Sequence, residues 1–333
     1  MRDLLGFGDP AGTQGSACRP APPNEAQPKG PPEVSAANCF PDDPEIEREL
    51  AYAFERTGED RFRVAPVPSG LLRLFGGMVV SQCLAAARLT VETGKEAHSL
   101  HGYFYKPGQV DIANDFAVTR EMDGRSFSNR LVRMTQNGEP LMNLMVSFKA
   151  PEPSASHAVT MPGVPPPEAL PRISDLVEDF GPALPERHRP FWQRRQQVEW
   201  RPVEPFPFDN REVLPATRHF WFRIHGQIGD ELHVHQRLLA YASDLHIFHT
   251  GLGPMALGWA NDYLQTASLD HAIWFHQPFR IDEWLLYALD SPAASNALAL
   301  GRGNVFKRDG TLVATVSQQG LARILDGKRE GKL

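Results

Sequence analysis

Two stretches of this chain repeat each other about 170 residues apart, and that duplication restricts the fold more than any other feature of its 333 residues. Laying HSLHGYFYKPG over SLDHAIWFHQP sets His101 on His271 (271 − 101 = 170). Laying TQNGEPLMNLMVSF over KRDGTLVATVSQQG sets Gly138 on Gly310 (310 − 138 = 172), so a single small insertion separates the two registers. In each half a helix precedes long apolar and polar alternations punctuated by Pro107-Gly108, Asp123-Gly124, Asn137-Gly138 and Asp309-Gly310. Alternation of period two broken by such pairs is the signature of antiparallel hairpins. The unit is therefore a helix followed by a curved antiparallel meander, present twice.

Around the repeats the chain divides as follows. Residues 1–44 are rich in Pro, Gly, Ala and Ser with almost no apolar periodicity, and are expected to be a disordered tail. Residues 45–152 hold the first repeat, opening with a short helix (EIERELAYAF) and a strand (RFRVAPV). Residues 153–190 form a proline-rich linker around one short helix, residues 191–326 the second repeat, and residues 327–333 a tail. At this length each half is expected to bury a core of its own.

Composition excludes several classes. A net charge of -6 leaves no basic footprint for nucleic acid. Apolar runs break well short of the roughly 20 residues a membrane-spanning helix needs. Three cysteines without a Cys-x-x-Cys pair suit a reducing compartment, and a cytoplasmic location is expected. The C-terminal Gly331-Lys332-Leu333 departs from the peroxisomal Ser-Lys-Leu address only at its first residue, which keeps a peroxisomal location as the alternative.

The stretch LHVHQRLLAYASDLHIF places apolar residues at Val234, Leu238, Tyr241, Ala242 and Leu245, the spacing of a buried helix, with Asp244 inside it. Either Ser243-Asp244 caps a new helix at a break, or Asp244 is a positioned general base. Arg237 stands seven residues earlier, nearly beneath Asp244 on the same side, as a salt-bridge partner or a phosphate contact. In the first half, Gly76-Gly77 opens a helix of small residues, where a ligand could approach free N–H groups. His233, His235, His246 and His249 lack the acidic or Cys partners that would complete a metal site, so no metal and no cofactor is expected.

RLFGGMVV, HSLHGYFYKPG, GRSFSNRLVRMTQNGEPL and SFKAPE in the first half, with VHQRLLAYASDL, SLDHAIWFH, EWLLYALDSPAAS and VSQQG in the second, resemble the type II acyl-CoA thioesterases. The resemblance spans about residues 45–326 and implies an α+β double hotdog fold, two curved antiparallel sheets each wrapped around a central helix. It implies an acyl-CoA substrate and is compatible with a homo-oligomer. It also implies that an Asp, a Thr and a Gln hold the hydrolytic water, at positions occupied here by Asp244, Ser268 and Gln318. Ser268 keeps the hydroxyl of the usual Thr but loses the methyl that restricts its rotamers, and Met78 stands where Gln is frequent.

The chemistry accounts for those residue types: a base takes a proton from water attacking the thioester, while a hydroxyl and a carboxamide orient that water. Backbone N–H groups of Gly76 and Gly77 could face the developing oxyanion. A non-catalytic acyl-CoA-binding protein and a hotdog enoyl-CoA hydratase are the alternatives, though the Asp/His segment of the latter is missing. His271, matched by His101, reads as structural. By the repeat offsets Ser268 falls on His98 and Gln318 on Val146, and the first helix has no carboxylate, so one site per chain is expected.

Overall fold

The computed structural model describes residues 52–66, 73–180, 197–206, 212–258, 261 and 263–325, all within one compact unit. The expected tails, the end of the linker, the Gly-Lys-Leu terminus and most of the expected helix before Tyr52 lie outside the described residues. The end of that helix is corrected: Phe54 begins strand β1 (Phe54–Gly58), which pairs antiparallel with β2 (Arg61–Val64) across a turn carrying Asp60 at positive φ. Phe62 and Val64 face the core, and burying them favours the strand over a helix.

Helix α1 (Gly76–Arg88) follows, then the meander β3 (Glu96–Phe104), β4 (Asn114–Asp123), β5 (Phe127–Gln136) and β6 (Glu139–Lys149). Asn137 and Gly138 take φ of 49° and 81° between β5 and β6, the left-handed pair that a two-residue hairpin requires. An extended stretch with one 3₁₀ turn (Pro167–Ala169) leads to helix α2 (Ile173–Phe180). The second half contains β7 (Val198–Pro202), β8 (Thr217–Ile224), helix α3 (Leu232–Ser243) and helix α4 (Ile247–Thr250). It closes with β9 (Leu264–Ser268), β10 (Asp270–Phe275), β11 (Leu285–Ser295), β12 (Leu298–Lys307) and β13 (Leu312–Ile324).

The strands make one sheet in the order β1-β2-β4-β5-β6-β3-β10-β13-β12-β11-β8-β7, with β9 paired to β13. The halves join where β3 and β10 pair antiparallel, with Ala272 opposite His101 and His271 opposite Gly102. This is the double hotdog, α+β architecture: the first half of the sheet packs on α1, β11, β12 and β13 of the second half pack on α4, and α3 lies against α1. The expectation of separate cores is corrected, because α1 and α3 pack on each other and one buried cluster runs from Tyr52 through Val80, Leu144 and Leu238 to Val316. Two helices packed side by side expose no apolar face that would separate the repeats.

Close approach of the two helices depends on Gly77. A Cβ there would stand 2.1 Å from the Tyr241 carbonyl oxygen and 2.6 Å from the Phe75 ring. Among the described residues no helix is long and apolar enough to cross a membrane.

Candidate active site

Helix α3 ends earlier than its apolar pattern suggested. Its last residue is Ser243, Asp244 is the C-cap, and His246 at φ 68° breaks the chain into α4 without a side-chain cap. The break is stabilised from both sides. Tyr287 donates its phenol to the Ser243 carbonyl at 3.0 Å, taking one of the carbonyls that a helix end leaves unpaired. The His246 ring stacks on Phe220 at 4.3 Å and meets Trp200 edge-on. Asp244 is therefore neither inside a continuous helix nor the cap of a new one; it sits on the last turn of α3, aimed at the start of α1.

There Asp244 Oδ2 accepts the Gly77 N–H at 2.8 Å. Gly76 is needed for the same approach, since a Cβ on it would lie 2.7 Å from that oxygen. The positive end of α1 and an oriented N–H both favour the carboxylate. Burial acts more strongly the other way and pushes the Asp244 carboxyl up from the ordinary range, against His271, the Gln318 carboxamide and the Gly77 N–H, which lower it. Asp244 Oδ1 is closed off from solvent and makes no hydrogen bond of normal geometry among the described residues. A buried acceptor left so costs about 1–3 kcal/mol.

Ser268 and Gln318 reach the same place from the sheet. Ser268 ends β9, and Leu269 interrupts the ladder before β10 by donating its N–H to the Gln319 carbonyl and accepting from Phe104 N–H, both at 2.9 Å. Gln319 N–H in turn donates to Asp270 Oδ1 at 2.7 Å. On β13 the inward-facing Gln318 donates its amide nitrogen to Ser268 Oγ at 2.7 Å. The same carboxamide lies close enough to Asp244 to favour its charged form. Three residues from three separate elements, 24 and 50 residues apart in pairs (268 − 244 = 24; 318 − 268 = 50), are thus brought to one region.

Two expectations change. The Gly77 N–H is already engaged by Asp244, so it anchors the acid and is not free to meet an oxyanion. Arg237 is buried with its guanidinium over the Tyr52 ring at 5.5 Å, and no ion pair joins it to Asp244. Seven helical residues place the two on one side of α3, but the side chain follows its own turn inward to an aromatic face. Met78 packs in the core.

His271 is the residue whose part the sequence reading missed. It is 0% exposed, with Nδ1 2.5 Å from Gln318 Oε1 and Nε2 3.0 Å from Ser243 Oγ. The signal was indirect: repeat matching placed it on a strand, but only the β10–β13 register, Ala272 opposite Ser317, brings it beside Gln318.

The first repeat offers no counterpart. Val146 pairs across the sheet with Arg130 where Gln318 pairs with Gly301. Arg130, 1% exposed, fills that inner face and donates to Thr90 Oγ1 at 2.8 Å, the Thr90 carbonyl at 2.9 Å and Asp123 at 2.6 Å. His98 is turned to Ser147 Oγ at 2.8 Å. Among the described residues no group of His, Cys, Asp and Glu could hold a metal ion.

Comparison with known proteins matches residues 64–149 to the family described as acyl-CoA thioesterase N-terminal domain, and residues 191–321 to the family described as acyl-CoA thioesterase. Human acyl-coenzyme A thioesterase 8 is 35% identical over 84% of this chain and 89% of its own. A crystal structure of an acyl-CoA thioesterase II from Mycobacterium marinum superposes with a TM-score of 0.68 at 34% identity, covering 85% of this chain and 99% of that one. A protein of unknown function with a hot dog fold from Alicyclobacillus acidocaldarius, 22% identical, superposes with a TM-score of 0.66 over 83% of this chain and 97% of its own, a likeness of fold alone.

Proposed function

The chain belongs to the type II acyl-CoA thioesterase family, and from that premise we propose that it hydrolyses acyl-CoA to the free acid and CoA with Asp244 as general base. The observation that carries the assignment is the Asp244 carboxylate: Oδ2 is tied to Gly77 N–H, while Oδ1 is enclosed without a hydrogen bond among the described residues. Ser268 and Gln318 orient the attacking water, and their mutual hydrogen bond fixes both groups. Asp244 takes one proton from that water as its oxygen bonds to the thioester carbonyl carbon. The tetrahedral intermediate then collapses, the carbon–sulfur bond breaks, and the proton goes to the departing thiolate of CoA. Release of free thiol from a panel of acyl-CoAs tests this; the expected result is turnover. Tight binding of acyl-CoA without thiol release would favour a non-catalytic binding protein, and loss of an enoyl chromophore with the thioester intact would favour a hydratase.

One productive site per chain is the companion expectation, because Val146 and the buried Arg130 stand in the first repeat where Gln318 and Gly301 pair in the second. Titration with a non-hydrolysable acyl-CoA analogue should saturate at one equivalent per chain. Saturation at two would place chemistry in the first repeat as well.

A further inference from the structure

The hydrolysis as written leaves the His271 imidazole idle, although both of its nitrogens are engaged within the site. A glutamine carboxamide has two orientations of nearly equal shape, one presenting NH₂ and the other C=O to a given neighbour. Beside Asp244 only the first is useful, since a carbonyl turned toward a carboxylate would repel it and offer the water no donor. What selects the orientation is whatever sits on the far side of the amide.

We propose that His271 is a positioning residue for the hydrolysis: its Nδ1–H holds the Gln318 carbonyl, turning the amide nitrogen toward Ser268 and Asp244, and Ser243 holds the ring in that tautomer. The inference rests on the roles given above to Asp244, Ser268 and Gln318. A neutral imidazole has one donor and one acceptor nitrogen, so donation from Nδ1 to Gln318 Oε1 at 2.5 Å makes Nε2 an acceptor for the Ser243 hydroxyl at 3.0 Å, the nearer of that hydroxyl's two acceptors, the other being the Ala240 carbonyl at 3.3 Å. Burial keeps the ring in this neutral form by pushing the His271 pKa down. Ser243 immediately precedes Asp244, so the ring ties the end of the helix bearing the base to the strand bearing the amide. Base and amide then share one rigid frame.

The test is a double-mutant cycle between His271 and Gln318, read as kcat and KM for thiol release together with Tm. His271→Leu removes both hydrogen bonds and should lower kcat about 10- to 100-fold with KM nearly unchanged, the scale expected for a misplaced orienting group. His271→Asn can place an amide N–H near the lost Nδ1–H and should recover most of that kcat. In a Gln318→Ala background, His271→Leu should change kcat by less than roughly 2-fold, because residues acting through one another are not additive. Equal loss from His271→Leu in both backgrounds, or failure of Asn to restore kcat while Tm is intact, overturns the proposal. If His271→Leu does not fold, Ser243→Ala takes its place in the cycle with the same criterion. Asp244→Asn, assayed in parallel, separates the two readings: full activity there removes the base assignment itself, whereas an inactive Asp244→Asn with an additive cycle removes only the part given to His271.

Discussion

Asp244→Asn is expected to lower kcat for acyl-CoA hydrolysis by about 10² to 10⁴, the usual worth of a general base, while substrate binding persists. Asn keeps an oxygen that can accept the Gly77 N–H, so the contact between α1 and α3 need not be lost. Thermal stability makes the experiment sharper. Burial raises the Asp244 pKa on folding, so this group contributes stability below its unfolded pKa and loses it as pH rises through the folded value. At neutral pH the wild-type chain bears the cost of a desolvated carboxylate that the Asn variant does not. The variant should therefore melt at the same or a higher temperature while losing turnover. In the wild type the acid limb of kcat against pH should lie above the ordinary aspartate value of about 3.9, since protonated Asp244 cannot accept a proton. Wild-type turnover in the Asn variant would remove Asp244 from the mechanism, and a flat acid limb would show that α1 and Gly77 outweigh burial.

Gly77→Ala is expected to destabilise the protein by about 3 kcal/mol, a drop in Tm of roughly 6 to 12 °C, and to impair turnover in what folds. The sign is what makes it informative. Glycine within a helix is ordinarily worse than alanine by about 0.5–1 kcal/mol, so the same change in an unconstrained helix would stabilise it. Here the new methyl would stand 2.1 Å from the Tyr241 carbonyl oxygen, which is backbone and can yield only if α3 moves. A displaced α3 carries Asp244 away from its anchor. An unchanged or raised Tm would mean that the helices do not pack as described.

Much of this was legible in the sequence because it is periodic. The duplicated meander, the Asn137-Gly138 and Asp309-Gly310 turns and the apolar stripe of α3 are local patterns, and local patterns fix strands, hairpins and helices. The meeting of Asp244, Ser268 and Gln318 followed from family resemblance; no local signal could have shown it, since Ser268 reaches Gln318 only through the pairing of β9 with β13, and Asp244 joins them from the end of α3. What stayed hidden was set by contacts between distant segments. The end of α3 at Ser243 depends on Tyr287 and on the ring packing of His246, while the apolar spacing itself runs on to Phe248. Gly76-Gly77 read as a ligand approach because the sequence carries no sign that the approaching group is Asp244 of the same chain. Arg237 was placed correctly on its helix side, yet the direction of a long side chain is decided by what it meets, here Tyr52. Phe54 read as the end of a helix because its strand partner, Val64, stands across a turn.

The anchoring of Asp244 by Gly77 has an evolutionary consequence. In a homodimer of single repeats every substitution appears twice, so one sequence would have to supply both the glycine opening of α1 and the acid ending of α3. Joining the copies in one chain removes that requirement. Each repeat can then give up what the other supplies: α3 begins with Leu232-His233 where α1 has Gly76-Gly77, and Arg130 stands in the first repeat where Gly301 lets the Ile247 backbone approach in the second. The division of labour is also a lock. Neither repeat retains both the acid and its donor, so the two halves have become obligate complements, and a lineage that separated them into independent genes would have to keep both products or lose the site altogether.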